Sequence, residues 1–434
     1  MAPSAMEEEI PIKKTTIKPW IRPAPTNEKL DWAPLVEIDL SRFDESGGKE
    51  ELAKQLYDAV TRVGFWVVVG HGLDDERILR QFSIGNAFFK ENIEEKRSFE
   101  CNFAEGEYFG YRENSRWIGD TGVKDNIEML NIPKAIPEWD DVPKHRIIHQ
   151  NYDEISSFHR DLFDKVVRKL FVLIAIILEL PEDHLVQAHA YDKRSDDHLR
   201  YMVYNTRTQE EWDRTQAYTK GGHTDFGSLT LLFSQNVAGL QIRAPDGEWK
   251  YVKPVEGGIT CNVADTLSFL TNGKLLKSTI HRVVTPPRDQ IHIPRLGLLY
   301  FCRPGDNTVM RTVPSPLLES LGLLTEEDKN QSNPAPTGTE LAVLGCDISI
   351  SDKWNITAFS PEADDSYQPQ PRMCKTYLFY NYFLGIWLVF PVIPRVSKEC
   401  EADSLDPKRA HFNIKDKGKL ANRNHRDKLL HMKK

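Results

Sequence analysis

Between Leu199 and Phe301 the chain is a succession of short apolar, β-branched runs, each closed by a turn residue. Gly239-Leu240-Gln241-Ile242-Arg243 and Trp249-Lys250-Tyr251-Val252 flank Pro245-Asp246-Gly247, a sequence suited to a hairpin turn. Gly257-Gly258 turns the chain before Ile259-Thr260-Cys261-Asn262-Val263, Asn272-Gly273 turns it again, and Arg295-Leu296-Gly297-Leu298-Leu299-Tyr300-Phe301 makes one more run. Runs at this spacing predict an antiparallel double-sheet jelly roll, in whose interior residues far apart in sequence converge.

The first half reads differently. Leu52, Leu56, Ala59, Val60 and Val63 recur at helical spacing, and Gly64 stands where that helix should stop. Phe65-Trp66-Val67-Val68-Val69 then predicts a buried strand, as Pro34 to Leu40 predicts a first one. His71 marks a structural turn, having no acidic or His partner at a useful spacing. Residues 74–100 read as a helix pair, and residues 107–112 and 124–129 as an irregular segment and an edge strand near a pocket. A long helix is predicted over 152–180, with Phe158, Leu162, Val166, Leu170 and Leu173 on one stripe and Pro181 at its end. The expected fold is therefore α+β, mostly β: a double-stranded β-helix core buttressed by N-terminal helices. The organisation expected is an extended arm over 1–33, a helical and β scaffold over 34–190, the jelly-roll core over 191–306 and an extension over 307–434.

A formal charge of −8 argues against a nucleic-acid partner, which calls for a basic face. The six cysteines are scattered, with no C-x-x-C pair, and predict reduced thiols in a cytoplasmic protein, expected as a monomer. The N-terminal residues carry Glu7-Glu8-Glu9 and no apolar segment of the secretory type. Near the C-terminus a 17-residue apolar run, 377–393, precedes a stretch with twelve Lys/Arg against six Asp/Glu. Membrane contact through that run is the less favoured reading beside a lid or an extension with no settled fold.

Within the β-rich part, Gly222-His223-Thr224-Asp225-Phe226-Gly227 places an imidazole and a carboxylate two residues apart. On a strand, residues i and i+2 share a face, so His223 and Asp225 can reach one ion while Thr224 points away. His281, inside Ser278-Thr279-Ile280-His281-Arg282-Val283-Val284, offers a third ligand. Two His and one carboxylate occupy one face of an octahedral ion and leave the opposite positions open, which suits Fe(II) that must also bind a co-substrate and O2. The bland alternatives are a chance His-x-Asp pair, a structural His on a strand, or zinc. Such an iron site needs electrons, and a 2-oxo acid supplies them on losing CO2. Its far carboxylate calls for a buried cation, for which Arg295 is placed, fourteen residues after His281 on what reads as the neighbouring strand. The alternative for Arg295 is a salt bridge on the outer face of the barrel.

His223-Thr224-Asp225, then His281-Arg282-Val283, then Arg295 resembles the 2-oxoglutarate and Fe(II)-dependent dioxygenases of the isopenicillin N synthase-like group. Gly227 to Leu232, Gly239-Leu240-Gln241 and Asn262-Val263-Ala264-Asp265 extend the likeness, which runs from about Pro34 to about Pro304. The resemblance implies Fe(2+), 2-oxoglutarate and O2 as cofactors and assigns Tyr204 a hydrogen bond to the oxo acid beside Arg295. It further implies hydroxylation, desaturation or rearrangement of a small molecule, a secondary metabolite by analogy with the group, with succinate and CO2 released. Gly297 stands where the family carries a serine, and Met202 where many relatives carry an asparagine. These departures keep open an oxidase of the same fold that uses no 2-oxoglutarate; a non-catalytic jelly-roll binding module is the third reading.

Overall fold

In the computed structural model, which describes residues 15–102, 107–113, 117–215, 222–331 and 335–340, the short runs become strands of two facing sheets. In chain order they are β1 (Glu37–Asp39), β2 (Phe65–Val69), β3 (Gly110–Arg112), β4 (Ile127–Pro133), β5 (His198–Tyr204), β6 (Leu229–Phe233), β7 (Leu240–Arg243), β8 (Trp249–Tyr251), β9 (Ile259–Val263), β10 (His281–Val283) and β11 (Arg295–Cys302). The large sheet runs β1-β2-β9-β6-β11-β5-β4-β3, and the small one β10-β7-β8. Pairing is antiparallel except between β1 and β2. Phe65 and Leu232 from the large sheet meet Leu240, Ile242 and Val283 from the small one, so an apolar layer joins the two faces. This is the expected jelly roll.

Helices cover the outer face of the large sheet. Asp75–Phe89 buries Ile78, Phe82, Ile84 and Phe88 there, and the nearly all-apolar Arg168–Ile177 buries Leu170, Phe171, Leu173 and Ile174. The helix read over 49–63 is Gly48–Asp58 followed by a π turn, Ala59–Val63, and Gly64 ends it at φ +74°, a conformation few other residues accept. The long helix predicted from 152 is likewise interrupted by a π turn at Phe163–Val167. Both interruptions are invisible to an apolar periodicity that they shift by only one position.

Two expectations change. The strand near Lys124 is not an edge: β4 lies between β5 and β3, and β3 forms the edge. Arg295 is not on the neighbour of the strand bearing His281, since β11 pairs with β5 and β6 while β10 pairs with β7. The connection between them carries Pro286, Pro287 and Pro294, which cannot continue a ladder, and the chain crosses from one sheet to the other. His281 and Arg295 therefore belong to opposite walls of the barrel.

The described part of the N-terminal arm, from residue 15, is pinned. Trp20 stacks on Phe82 at 4.5 Å, Asn236 Nδ2 donates to Pro23 O, and Gln290 Nε2 donates to Ala24 O. His71 is the structural turn expected, with Nε2 bonded to Gly257 O and Nδ1 accepting from Leu73 N. Cys101, Cys261 and Cys302 are buried free thiols. No helix among the described residues is long and apolar enough to cross a membrane, and the run 377–393 lies outside them.

Two details carry stability predictions. Gly85 sits mid-helix, where glycine costs about 1 kcal/mol relative to alanine. A Cβ there would lie 2.9 Å from Tyr201 Cγ, and that ring is buried and held by its hydroxyl on Gln81 Oε1. Gly85→Ala should thus lower stability by about 1–3 kcal/mol in urea unfolding despite its better helix propensity; a gain would show that Tyr201 yields. Glu128 accepts from Lys96 Nζ (2.6 Å), Tyr111 OH (2.7 Å) and Asn205 Nδ2 (2.8 Å). Burial works against its charge, but those three hydrogen bonds outweigh burial and hold its pKa below the usual value. A depressed native pKa stabilises above the unfolded value and is lost as pH falls through the native one. Glu128→Gln should cost roughly 3 kcal/mol at neutral pH, and its deficit against wild type should shrink below about pH 4, as paired urea melts would record.

Candidate active site

The site is built on a backbone bridge between the lead-in to the large sheet and the small sheet. His223 N donates to His281 O and His281 N donates to His223 O, each at 2.9 Å, so the two imidazoles leave one ladder rung side by side, ring centres 4.4 Å apart. Gly222, at φ +76°, makes the approach possible: a Cβ there would lie 2.7 Å from Ile280 Cγ2 and 2.8 Å from His281 O. The sequence reading put His223 and Asp225 on one strand; in fact β6 begins at Leu229, and the pair lies on the extended lead into it. Alternation still operates, because Thr224 turns away and donates its hydroxyl to Asp265 Oδ2 (2.9 Å).

Asp225 Oδ1 lies 3.5 Å from His281 Nε2 and 3.8 Å from His223 Nε2, and one ligand atom from each of the three residues lies within 4.8 Å of the other two. His281 Nδ1 bonds Thr279 O at 3.1 Å, which fixes a tautomer whose Nε2 lone pair faces the carboxylate. Asn262 Nδ2 donates to Asp225 Oδ2 at 3.0 Å and leaves Oδ1 free to point at the imidazoles. Burial opposes the Asp225 charge, yet the neighbouring His281 and the Asn262 bond drive its pKa far below the usual carboxylate range. Burial pulls His281 down, and Asp225 more than offsets it, raising the imidazole's pKa. A carboxylate held ionised between two imidazoles, protein-covered on the His281 side and open on the half-exposed His223 side, fits a dication with free coordination positions.

Arg295 pairs directly opposite Tyr204 across β11 and β5, its guanidinium carbon 5.6 Å from the Tyr204 ring centre. It is buried, and its Nε donates to Val237 O at 3.2 Å. The pinned arm supports that carbonyl's loop, since Gln290 Oε1 accepts from Ala238 N. Arg295, Tyr204, Trp212, Val283 and Ile293 line a small cleft. Burial lowers the Arg295 pKa, and among the described residues no carboxylate comes within ion-pair distance of it. Its place in the barrel is inside, against the outer-face alternative.

Glu91, Glu95 and His145 form a second cluster of ligand-like atoms. Arg146 already fills its centre, bonding both Glu95 (2.6 Å) and Glu91, and the group is a salt-bridge network. The sequence reading passed over Arg200, two pleats from Tyr204 on the same face of β5; the strand's alternation was the available signal.

The model of the 2OG-Fe(II) oxygenase superfamily matches residues 181–304, and the model described as non-haem dioxygenase in morphine synthesis N-terminal matches 36–153. The chain is 31% identical to the UPF0676 protein of Schizosaccharomyces pombe, over 65% of this chain and 84% of that one. It is 27% identical to scopoletin 8-hydroxylase of Arabidopsis thaliana, over 62% and 72%. The fold is similar to that of a 2OG-Fe(II) oxygenase family protein of Caulobacter crescentus, with a TM-score of 0.60, 24% identity and coverage of 72% and 98%. The chain belongs to the 2OG-Fe(II) oxygenase superfamily and is an oxidoreductase whose cofactors are Fe(II), 2-oxoglutarate and O2.

Proposed function

We propose that the chain is a dioxygenase that oxidises a C–H bond of a small organic molecule, of the secondary-metabolite kind, and releases succinate and CO2. In this reading residues 191–306 are the oxygenase core, 34–190 its scaffold and 307–434 an appended segment. His223, Asp225 and His281 hold the metal, and Arg295 with Tyr204 holds the far carboxylate of the oxo acid. The observation that carries it is Arg295: a buried guanidinium facing a cleft, with no carboxylate near it among the described residues, is costly until an anion arrives. Bound Fe(II) with 2-oxoglutarate supplies the oxidising chemistry. The protein's own share is positioning: His281 is oriented by Thr279, Asp225 by Asn262, and the oxo acid by a guanidinium whose Nε is anchored on Val237. The buried thiols suit a cytoplasmic setting.

The oxidase reading, in which no 2-oxoglutarate is used, yields to the cofactors of the superfamily; the departure behind it is Gly297. Gly297 offers no hydroxyl, and Leu299 Cδ1 lies 3.2 Å from where its Cβ would stand.

Purified protein given Fe(II), 2-oxoglutarate and an accepted substrate should form succinate, and Asp225→Ala should abolish both turnover and tight Fe(II) binding; absence of succinate from wild type rejects the reading. Arg295→Gln should raise the KM for 2-oxoglutarate by roughly 10- to 100-fold, the worth of one charge-assisted pair, while equilibrium dialysis shows Fe(II) retained. An unchanged KM would place the oxo acid elsewhere.

A further inference from the structure

A second arginine lies inside the barrel, and neither the metal triad nor the oxo-acid pair uses it. Alternation along β5 puts His198, Arg200, Met202 and Tyr204 on one face, so Arg200 and Tyr204 are separated by about 13 Å of strand. Across the sheet Arg200 stands opposite Leu299 of β11 and Asn131 of β4, while Tyr204 stands opposite Arg295. Protein surrounds Arg200 and its charge acts on both His223 and Asp225, yet the side chain keeps part of its surface accessible to solvent, as a group lining a cavity does. Burial pulls its pKa down to about 10, which leaves it protonated at neutral pH.

The partners of Arg200 are neutral. Its Nε donates to Asn131 Oδ1 at 2.7 Å, and Nη2 lies 3.3 Å from His198 Nε2. That nitrogen is an acceptor, because His198 Nδ1–H donates to Asp196 O at 2.8 Å, and burial keeps the ring uncharged. The guanidinium lies over the Phe301 ring at 4.3 Å, and His198 stacks on the same ring at 4.9 Å. Phe226, next in sequence to Asp225, shares Arg303 with Tyr108, the guanidinium 4.9 Å and 4.4 Å from the two rings. Aromatic surface thus lies directly beside Arg200.

Charge balance then points to a ligand. A dication, the Asp225 carboxylate, the doubly charged oxo acid and the Arg295 guanidinium cancel. Arg303 has Asp196 at 3.9 Å. Among the described residues no carboxylate lies within ion-pair distance of Arg200, so its charge stays uncompensated when both cofactors are bound.

Resting on the reading above, we propose that Arg200 anchors the substrate and that the substrate is a planar aromatic or conjugated carboxylate. The carboxylate takes the Nη edge of Arg200, and the ring lies along Phe301 toward the metal. Lys at this position keeps the charge but loses the planar fork.

The test uses the full chain loaded anaerobically with Fe(II) and 2-oxoglutarate, titrated calorimetrically with benzoate, 4-hydroxycinnamate and indole-3-carboxylate and with the matching carboxamides. Wild type should bind at least one acid about 10-fold or more tighter than its amide. Arg200→Gln should erase that preference while 2-oxoglutarate affinity shifts by less than about threefold, and Arg200→Lys should restore part of it. Thermal melts of both variants guard against misfolding, and if Gln alone unfolds, the Lys variant decides by whether it narrows the preference. Equal binding of acid and amide by wild type, or no binding by any of the three acids, overturns the proposal. So does a loss of 2-oxoglutarate affinity in Arg200→Gln as large as that in Arg295→Gln, which would make Arg200 part of the oxo-acid site. Failure of wild type to bind 2-oxoglutarate at all is a separate result, and it removes the underlying reading instead.

Discussion

Two backbone hydrogen bonds between His223 and His281 are the constraint on which the site depends. They form a rung joining the lead-in to β6, a strand of the large sheet, with β10 of the small sheet. Because the rung is made of main chain, the separation of the imidazoles is set by ladder geometry and needs no side-chain packing to maintain it. Gly222 keeps the rung close, Thr279 sets the rotation of one ring, and Asn262 sets the carboxylate between them. Each support comes from a different element, so the site is as rigid as the barrel that closes around it.

The interior of that barrel is unusually charged for a space lined by two sheets. Asp225 is negative, Arg295 and Arg200 are positive, and an apolar layer of Phe65, Leu232, Ile242 and Val283 lies between the same two sheets. A folded chain tolerates such groups when ligands complete the balance, which is why perturbed ionisable residues cluster where chemistry takes place. The same feature explains the polar supports around Asp225, for an ionised carboxylate at that depth needs hydrogen bonds before any cation is present.

Much of this was legible in the chain. The strand runs carry their own turn residues, and the His223, Asp225 and His281 pattern marks three side chains that the fold brings together. What stayed hidden is what local pattern does not encode. The spacing of His281 and Arg295 suggests neighbouring strands, but pairing depends on a proline-bearing crossover whose direction only the packed sheets reveal. The π turns at Ala59–Val63 and Phe163–Val167 leave the apolar stripe intact and so leave no trace. Arg200 is hidden for another reason: alternation puts it beside Tyr204, but only the structure shows that Asn131 and His198 are neutral and that no acid reaches it.

The departures from the family pattern, Gly297 and Met202, acquire a common cause once the inward face of β11 is in view. Arg295, Gly297, Leu299 and Phe301 share that face, with Met202 opposite Gly297 and Arg200 opposite Leu299. Leu299 Cδ1 and Leu232 Cδ1 lie 3.2 Å and 4.0 Å from the place a Cβ on Gly297 would take, so a serine there must push Leu299 aside. Leu299 and Met202 form an apolar block between the two arginines where a hydroxyl and an amide would otherwise bridge them. The rungs that bear them are about 13 Å apart along the strands, and two charges at a separation of that order repel by only about 1 kcal/mol at an effective dielectric near 20. Their proximity is therefore tolerable, but the block denies them a shared polar network, and a single anion spanning both would have to cross hydrocarbon. Each arginine is left to find its own counter-ion, and two separated cations on one sheet face suit the two acids of the proposed reading.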